Sequence, residues 1–311
     1  MDTPFQPYGT VSHGTAPASV PPGEKVGKFK ASMMITLASW SILKKDREML
    51  LFPLLSTIVT LIAAALLFGV YFFMIAGGSI ETLRTLMESA KERTSGGAEL
   101  LFGFAYYLVT YFILIYFQAG VVAIAHARIQ GRDLTFRDGM HAASAHAGKL
   151  FFWSLVNATV GMVLHLIAER SKIVGRLVVS LLGAAWSILT FFILLVLILE
   201  ERGIKDSLAR SGEVIKKTWG ETILVNIGVG LFMFVLTLLG IAVFMAALFT
   251  GSGAVVFVAL ILLLVYIIVL SLVSSTLSVI FKVVLYEYAT NGTLPEAFPE
   301  QVIRYAFAPQ K

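Results

Sequence analysis

Cysteine is missing from all 311 residues, which excludes a disulfide framework, a thiolate zinc site, an iron–sulfur cluster and a cysteine nucleophile. Charge is scarce too: Asp, Glu, Lys and Arg together make up 14%, against roughly 25% in soluble domains. With hydrophobic residues at 58% and a mean hydropathy of +0.85, no water-facing shell can be assembled. Most of the chain must therefore face lipid, or other protein within lipid. Nucleic-acid binding needs a soluble basic face with interleaved aromatics, and there is none. Alternation is also lacking. Apolar residues run continuously, as from Phe191 to Leu199 and from Val255 to Leu270, which excludes a strand barrel.

What is present is a set of long apolar segments. A crossing helix needs about 20 predominantly apolar residues. Six segments qualify, at about 49–76, 100–125, 150–168, 175–199, 222–249 and 254–281. The third is the shortest and carries Asn157 and His165. The fold expected is all-α, a polytopic transmembrane bundle of six helices spanning 25–308, with residues 309–311 as its C-terminal end. Residues 1–24 are rich in Pro, Gly, Ser and Thr and cannot bury enough surface to fold; they read as a disordered cytoplasmic tail without the pattern of a signal peptide. With the N-terminus inside, 18 of the 24 Lys and Arg residues fall on the cytoplasmic side and 6 outside. That bias places both termini in the cytoplasm of a multi-pass protein of the cell membrane, the inner membrane of a prokaryote.

The cytoplasmic entry to each helix pair shares a layout. Over 28–47, Phe29, Met33, Leu37 and Trp40 recur at helical spacing, opposite Lys30, Lys44 and Lys45. Over 203–221, Leu208, Ile215 and Trp219 repeat the plan. Ser39 followed by Ile42-Leu43-Lys44-Lys45 aligns with Ser211 followed by Val214-Ile215-Lys216-Lys217. The middle linker, 134–149, shares the position but hardly the residues. These stripes predict amphipathic helices in the headgroup layer before each hairpin, with Lys44, Lys45, Lys216 and Lys217 towards anionic lipid. Plain snorkelling of cations at a membrane boundary accounts for the same pattern.

At these linkers the sequence resembles a known family. The residues that carry the likeness are Leu199-Glu200-Glu201-Arg202-Gly203-Ile204, Ser207 to Ser211, Lys216 to Glu221, Gly131-Arg132-Asp133 with Asp138-Gly139, Gly183 to Ser187, and Leu285 to Thr290. The family is a group of prokaryotic six-helix integral membrane proteins known only as a domain of unknown function. Its layout is similar to the membrane domain of some glycerophosphodiester phosphodiesterases. The resemblance covers roughly 26–308 and implies a membrane fold without an assigned activity, so no catalytic residue is carried over. One departure is Leu195-Val196-Leu197, where the pattern has a proline before the acidic turn; that puts a kink there in doubt.

Chemical motifs lead to the same place. Of five histidines none forms H-E-x-x-H, and His141 and His146 do not share a helix face. His165 and Glu169 are four apart and can meet on one face, as an interfacial pair or as a metal or proton site. Asp138-Gly139 lacks the later acids of a phosphatidyl-transferase metal motif. Gly251-Ser252-Gly253 fits a tight turn between helices. Glu200 and Glu201 point about 100° apart on a helix and read as solvated ends of a span. Walker and dinucleotide fingerprints are absent. No catalytic, metal or cofactor-binding residue is expected, and the chain reads as a non-enzyme.

Polar groups inside the spans are the remaining candidates. Gln118, Asn157 and Asn226 lie in the second, third and fifth segments, and Ser271, Ser274, Ser275 and Ser278 form a stripe leading to Lys282. Close helix packing uses such residues; so would a solute path in which Gln118, Asn157, Asn226, Ser274 and Ser278 face one cavity. The span interiors carry no acid, which argues against a proton-coupled pump. The reading favoured is a protein acting through contact with membrane lipids or assembly with protein partners or copies of itself, with no nucleic-acid partner. The alternative is a transporter or channel for a small or lipidic solute.

Overall fold

The computed structural model describes the backbone of residues 28–74, 77–82, 84, 97–170 and 173–291, and their side chains except at 28–36, 98–99, 173–174, 217–229 and 231. The tail at 1–24 and the end at 309–311 lie outside the described residues. Those described are all-α, without a strand. Among the described residues these α-helices follow in order: α1 Lys28–Lys45, α2 Leu51–Met74, α3 Gly97–Ile129, α4 Phe136–Ala145, α5 Ala147–Glu169, α6 Ile173–Leu189, α7 Ile193–Leu199, α8 Ile204–Leu248 and α9 Gly253–Asn291. A 3-10 turn, Arg47–Leu50, joins α1 to α2. Consecutive long helices pack as neighbours: α2 on α3, α5 on α6, α8 on α9. Helix α3 also touches α4, α5, α7 and α9, which places it at the centre.

Five helical stretches are long and apolar enough to cross a membrane: Arg47–Met74, Leu100–Ile129, Ala147–Glu169, Gly175–Leu199 and Gly253–Asn291. They coincide with five of the six expected segments. At the remaining one, 222–249, the backbone is helical, and the described apolar stretch is Phe232–Leu248. Its 17 residues rise about 26 Å, slightly less than a hydrocarbon core of about 30 Å.

Two expected boundaries are different in the structure. No separate interfacial helix ends at 221. Helix α8 runs unbroken through 45 residues, about 68 Å, because neither Gly212 nor Gly220 removes a helical hydrogen bond as a proline would. Its first half therefore continues the axis of its second half. Conversely, the fourth segment is broken: α6 stops at Leu189, residues 190–192 form a turn, and α7 begins at Ile193. A kink exists although no proline is present.

The packed core sits at one end of this bundle. Its members come from α3 (Ile113 to Ala127), α7, the start of α8 (Val214, Ile215) and the end of α9 (Leu277 to Tyr286). Towards the opposite end, α2, α6, α8 and α9 leave Leu66, Leu181, Val243 and Leu262 exposed, a surface suited to lipid and not to water. Helix α1 packs on α8 and α9. Its Ser39, Ile42 and Leu43 are buried, as are Ser211, Val214 and Ile215 of α8. The two aligned motifs thus bury the same face and leave Lys44, Lys45 and Lys216 exposed. Leu37 and Trp40 also stay exposed, at 50% and 37%.

Glycine permits the closest contact. The Phe52 ring lies over Gly120 of α3 and Gly139 of α4, where an added Cβ would come within 2.1 and 2.7 Å of it. Phe136 meets the same ring at 4.6 Å between centroids. Asp138 completes a capping box with Thr135 at the start of α4, and the Phe136 amide donates to Glu48 at 2.7 Å. Asp138-Gly139 is thus a cap and a seat for an aromatic ring. The Gly251 turn between α8 and α9, at φ +67°, is the expected one.

Candidate functional site

A layer of ion pairs knits the loops at the packed end. The Arg128 guanidinium at the end of α3 donates to both carboxylate oxygens of Asp46, which precedes α2, and to Asp133. Glu200, just past α7, receives the Tyr286 hydroxyl of α9 and the Arg210 guanidinium of α8, the latter at 3.0 Å. Arg202 adds a second cation. Burial pushes the Glu200 carboxyl up, but the Tyr286 hydroxyl and the two guanidiniums outweigh it and hold the group below the usual carboxylate range. Arg210 is raised in turn by its bond to Glu200. Glu287, 4% exposed, meets His126 of α3 at 2.8 Å and accepts from Asn291 at 2.8 Å. Gln130 lies 2.9 Å from the other nitrogen of that ring. Glu201 takes φ +52°, uncommon without glycine; its carbonyl accepts from Lys149 of α5.

Ser211 explains the broken helix. Its Oγ donates to the Leu189 carbonyl at 2.7 Å and accepts from the Phe192 amide at 3.2 Å. Ending α6 and starting α7 frees backbone groups that lipid cannot satisfy. A hydroxyl reaching over from α8 satisfies one of each kind.

Closer to the middle of the helices lies a cavity of about 160 Å³ between α2, α3 and α9. Ser56, Thr57, Gln118, Ser271, Ser275 and Thr276 are its polar lining. Thr57 and Thr276 donate to carbonyls of their own helices, at 2.8 and 3.0 Å. Ser56 Oγ is buried and has no partner among the described residues. A shallower groove between α8 and α9 shares Ser271 and Ser275 and adds Thr237 and Ser274. Ser278 donates back to the Ser274 carbonyl at 2.8 Å.

The Family of unknown function DUF6159 matches residues 97–295, well over half of the chain. The chain belongs to this family. In this DUF6159 protein the match takes in everything from α3 to α9 and leaves α1 and α2 before it. No curated protein and no solved structure is matched by the chain.

Among the residues singled out in the sequence, the DUF6159 fold unites some and separates others. Gln118 lines the cavity with Ser271 and Ser275, whereas Ser274 lies in the neighbouring groove and Ser278 lines neither, so the expected single cavity with Gln118, Ser274 and Ser278 together is not formed. Asn157 faces elsewhere: its side chain donates to the Trp153 carbonyl at 2.9 Å and accepts from the Trp186 indole at 3.3 Å. The side chains of Asn226 and Lys217 lie outside those described. His165 and Glu169 do pair, at 3.2 Å. Glu200 is not the solvated end expected of it, because Tyr286, 86 residues away, covers it. Glu287 and Asp46 were missed as buried acids. Helix α9 continues ten residues past the predicted end of its apolar run, and hydropathy alone gives no sign that its last turns pack against α3. The only sequence signal was indirect: Glu200, Arg210 and Tyr286 all fall in the stretches that carried the family likeness.

Proposed function

We propose that this is an integral membrane protein without catalytic chemistry of its own, threading a prokaryotic cytoplasmic membrane six times with both termini inside, and acting through anionic lipid and assembly with partners. The observation that carries the reading is the matched disposition of Ser39-Ile42-Leu43 and Ser211-Val214-Ile215, whose burial leaves Lys44, Lys45 and Lys216 outward at one end of the bundle. Lys44 stands 5.8 Å over the exposed Trp40 ring, a pairing suited to a headgroup boundary. In this reading α8 supplies the sixth crossing, and the ion-paired layer is its cytoplasmic face. A layout like the membrane domain of glycerophosphodiester phosphodiesterases fits the same picture.

The test is lipid selectivity in vesicles of phosphatidylcholine with and without phosphatidylglycerol. Replacing Lys44, Lys45, Lys216 and Lys217 by Gln is expected to lower anionic-lipid enrichment around the purified chain. Each cation near such a surface contributes about 1 kcal/mol, or about fivefold. Unchanged enrichment with intact insertion overturns the lipid reading. A second reading, a path for a small or lipidic solute, draws on the cavity holding Gln118, Ser271 and Ser275 and on the groove beside it that adds Ser274. It expects flux in reconstituted vesicles that falls on Ser274→Leu or Ser278→Leu; no flux over a broad solute panel rejects it.

A further inference from the structure

We propose that the cavity between α2, α3 and α9 is a binding site for an uncharged amphiphile, which inserts a hydroxyl head among Ser56, Gln118 and Ser275 and leaves its apolar tail in the bilayer. The cavity lining has unspent hydrogen-bonding capacity. Ser56 is 4% exposed, lines the cavity and has no partner for its hydroxyl among the described residues. The Gln118 amide, with two donors and an acceptor, has no hydrogen-bond partner among the described residues. Thr57 and Thr276 have given their protons to helix carbonyls and can only accept. Polar groups left unpaired in an apolar surrounding are costly, so an occupant that pairs with this array gains that free energy on binding.

The lining also defines the occupant. It carries no Asp, Glu, Lys, Arg or His, so a carboxylate, phosphate or ammonium would be left without a counter-charge in low dielectric. A hydroxyl, which donates once and accepts twice, matches the mixture of Gln donors, the Gln carbonyl and serine oxygens. At the mouth Leu114 and Ser271 are exposed, and Leu114, Phe117 and Leu272 form apolar wall. An alkyl chain leaving by that route meets hydrocarbon and not water. Ligand sites commonly combine such apolar walls with a few convergent polar groups. The inference is independent of the lysine reading, since no lysine lines the cavity.

The experiment uses the full chain in detergent, a diazirine-bearing hexadecanol as probe, and mass spectrometry of the labelled peptides. Labelling is expected to concentrate on peptides around Ser56, Gln118 and Ser275, and to be competed by hexadecanol but not by palmitate or hexadecane. Gln118→Leu is expected to reduce it about fivefold, the equivalent of one lost hydrogen bond. Should that variant not fold, Ser275→Ala with Ser56→Ala makes the same test with smaller changes. The four-lysine variant is expected to label as wild type does, which separates failure of this site from failure of the lipid reading. Even labelling along the lipid-facing helices, equal competition by palmitate, or indifference to both sets of variants overturns the proposal and leaves the cavity to water.

Discussion

Ser211→Ala tests how the broken helix is held. The serine is fully buried, yet its Oγ serves two backbone groups of another element, the Leu189 carbonyl and the Phe192 amide. Removing the oxygen orphans both, and a buried group left without its partner costs about 1–3 kcal/mol. Alanine returns roughly 0.5 kcal/mol through helix propensity within α8. The net loss expected for the two groups is therefore about 1.5–5.5 kcal/mol, enough to be read as an earlier transition when the protein in mild detergent is titrated with dodecyl sulfate and followed by circular dichroism. Ser207→Ala is the control, one helical turn earlier. Ser207 is equally buried but its hydroxyl has no partner among the described residues, so its removal is expected to be neutral or slightly stabilising. If the two variants unfold together, or Ser211→Ala falls within about 0.5 kcal/mol of wild type, the surface-mutation range, the serine does not hold the break and the reasoning fails.

Further expectations concern the packed end and the tryptophan pair. Gly120→Ala places a methyl 2.1 Å from the buried Phe52 ring; overpacking of this kind costs about 1–3 kcal/mol, and pairing it with Phe52→Leu is expected to recover part of the loss in the same titration. Glu200 has its pKa below the ordinary value near 4.5, so its contribution to stability is complete above that pH and lost as pH falls through the folded value. Glu200→Gln is expected to flatten that acid limb, and an unchanged limb would assign the acid sensitivity to other groups. Asn157→Leu deprives the Trp186 indole of its acceptor, for an expected loss of about 1–2 kcal/mol with a blue-shifted tryptophan emission; an unaltered spectrum would show that the pair is not formed in detergent.

Much of the chain was legible from local composition. Continuous apolar runs, the Gly251-Ser252-Gly253 turn and the i,i+4 pair of His165 and Glu169 each depend on neighbours within a few residues. The Ser39 and Ser211 motifs were legible as a repeat, but not the direction of their buried face. The stripe read from Leu37 and Trp40 is the outer one, and the core takes the face of Ala38, Ile42 and Leu43. The candidate cavity was partly legible: Gln118, Ser271 and Ser275 were visible, whereas Ser274 and Ser278 do not line it and Ser56 and Thr57 of α2 gave no sign of facing it.

Sequence by itself determined that the chain is helical and suited to lipid, because helix length and hydropathy are properties of a continuous stretch. Only the tertiary structure decided that His126 meets Glu287, that Tyr286 covers Glu200, and that Ser211 closes the gap between Leu189 and Phe192. The reason lies in the solvent. In water an amphipathic pattern tells each helix which side to bury, but in a bilayer both sides of a helix are apolar. Hydropathy then carries no record of which face meets which neighbour, and that choice falls to small residues, ring-on-glycine fit and the few polar groups that must find one another.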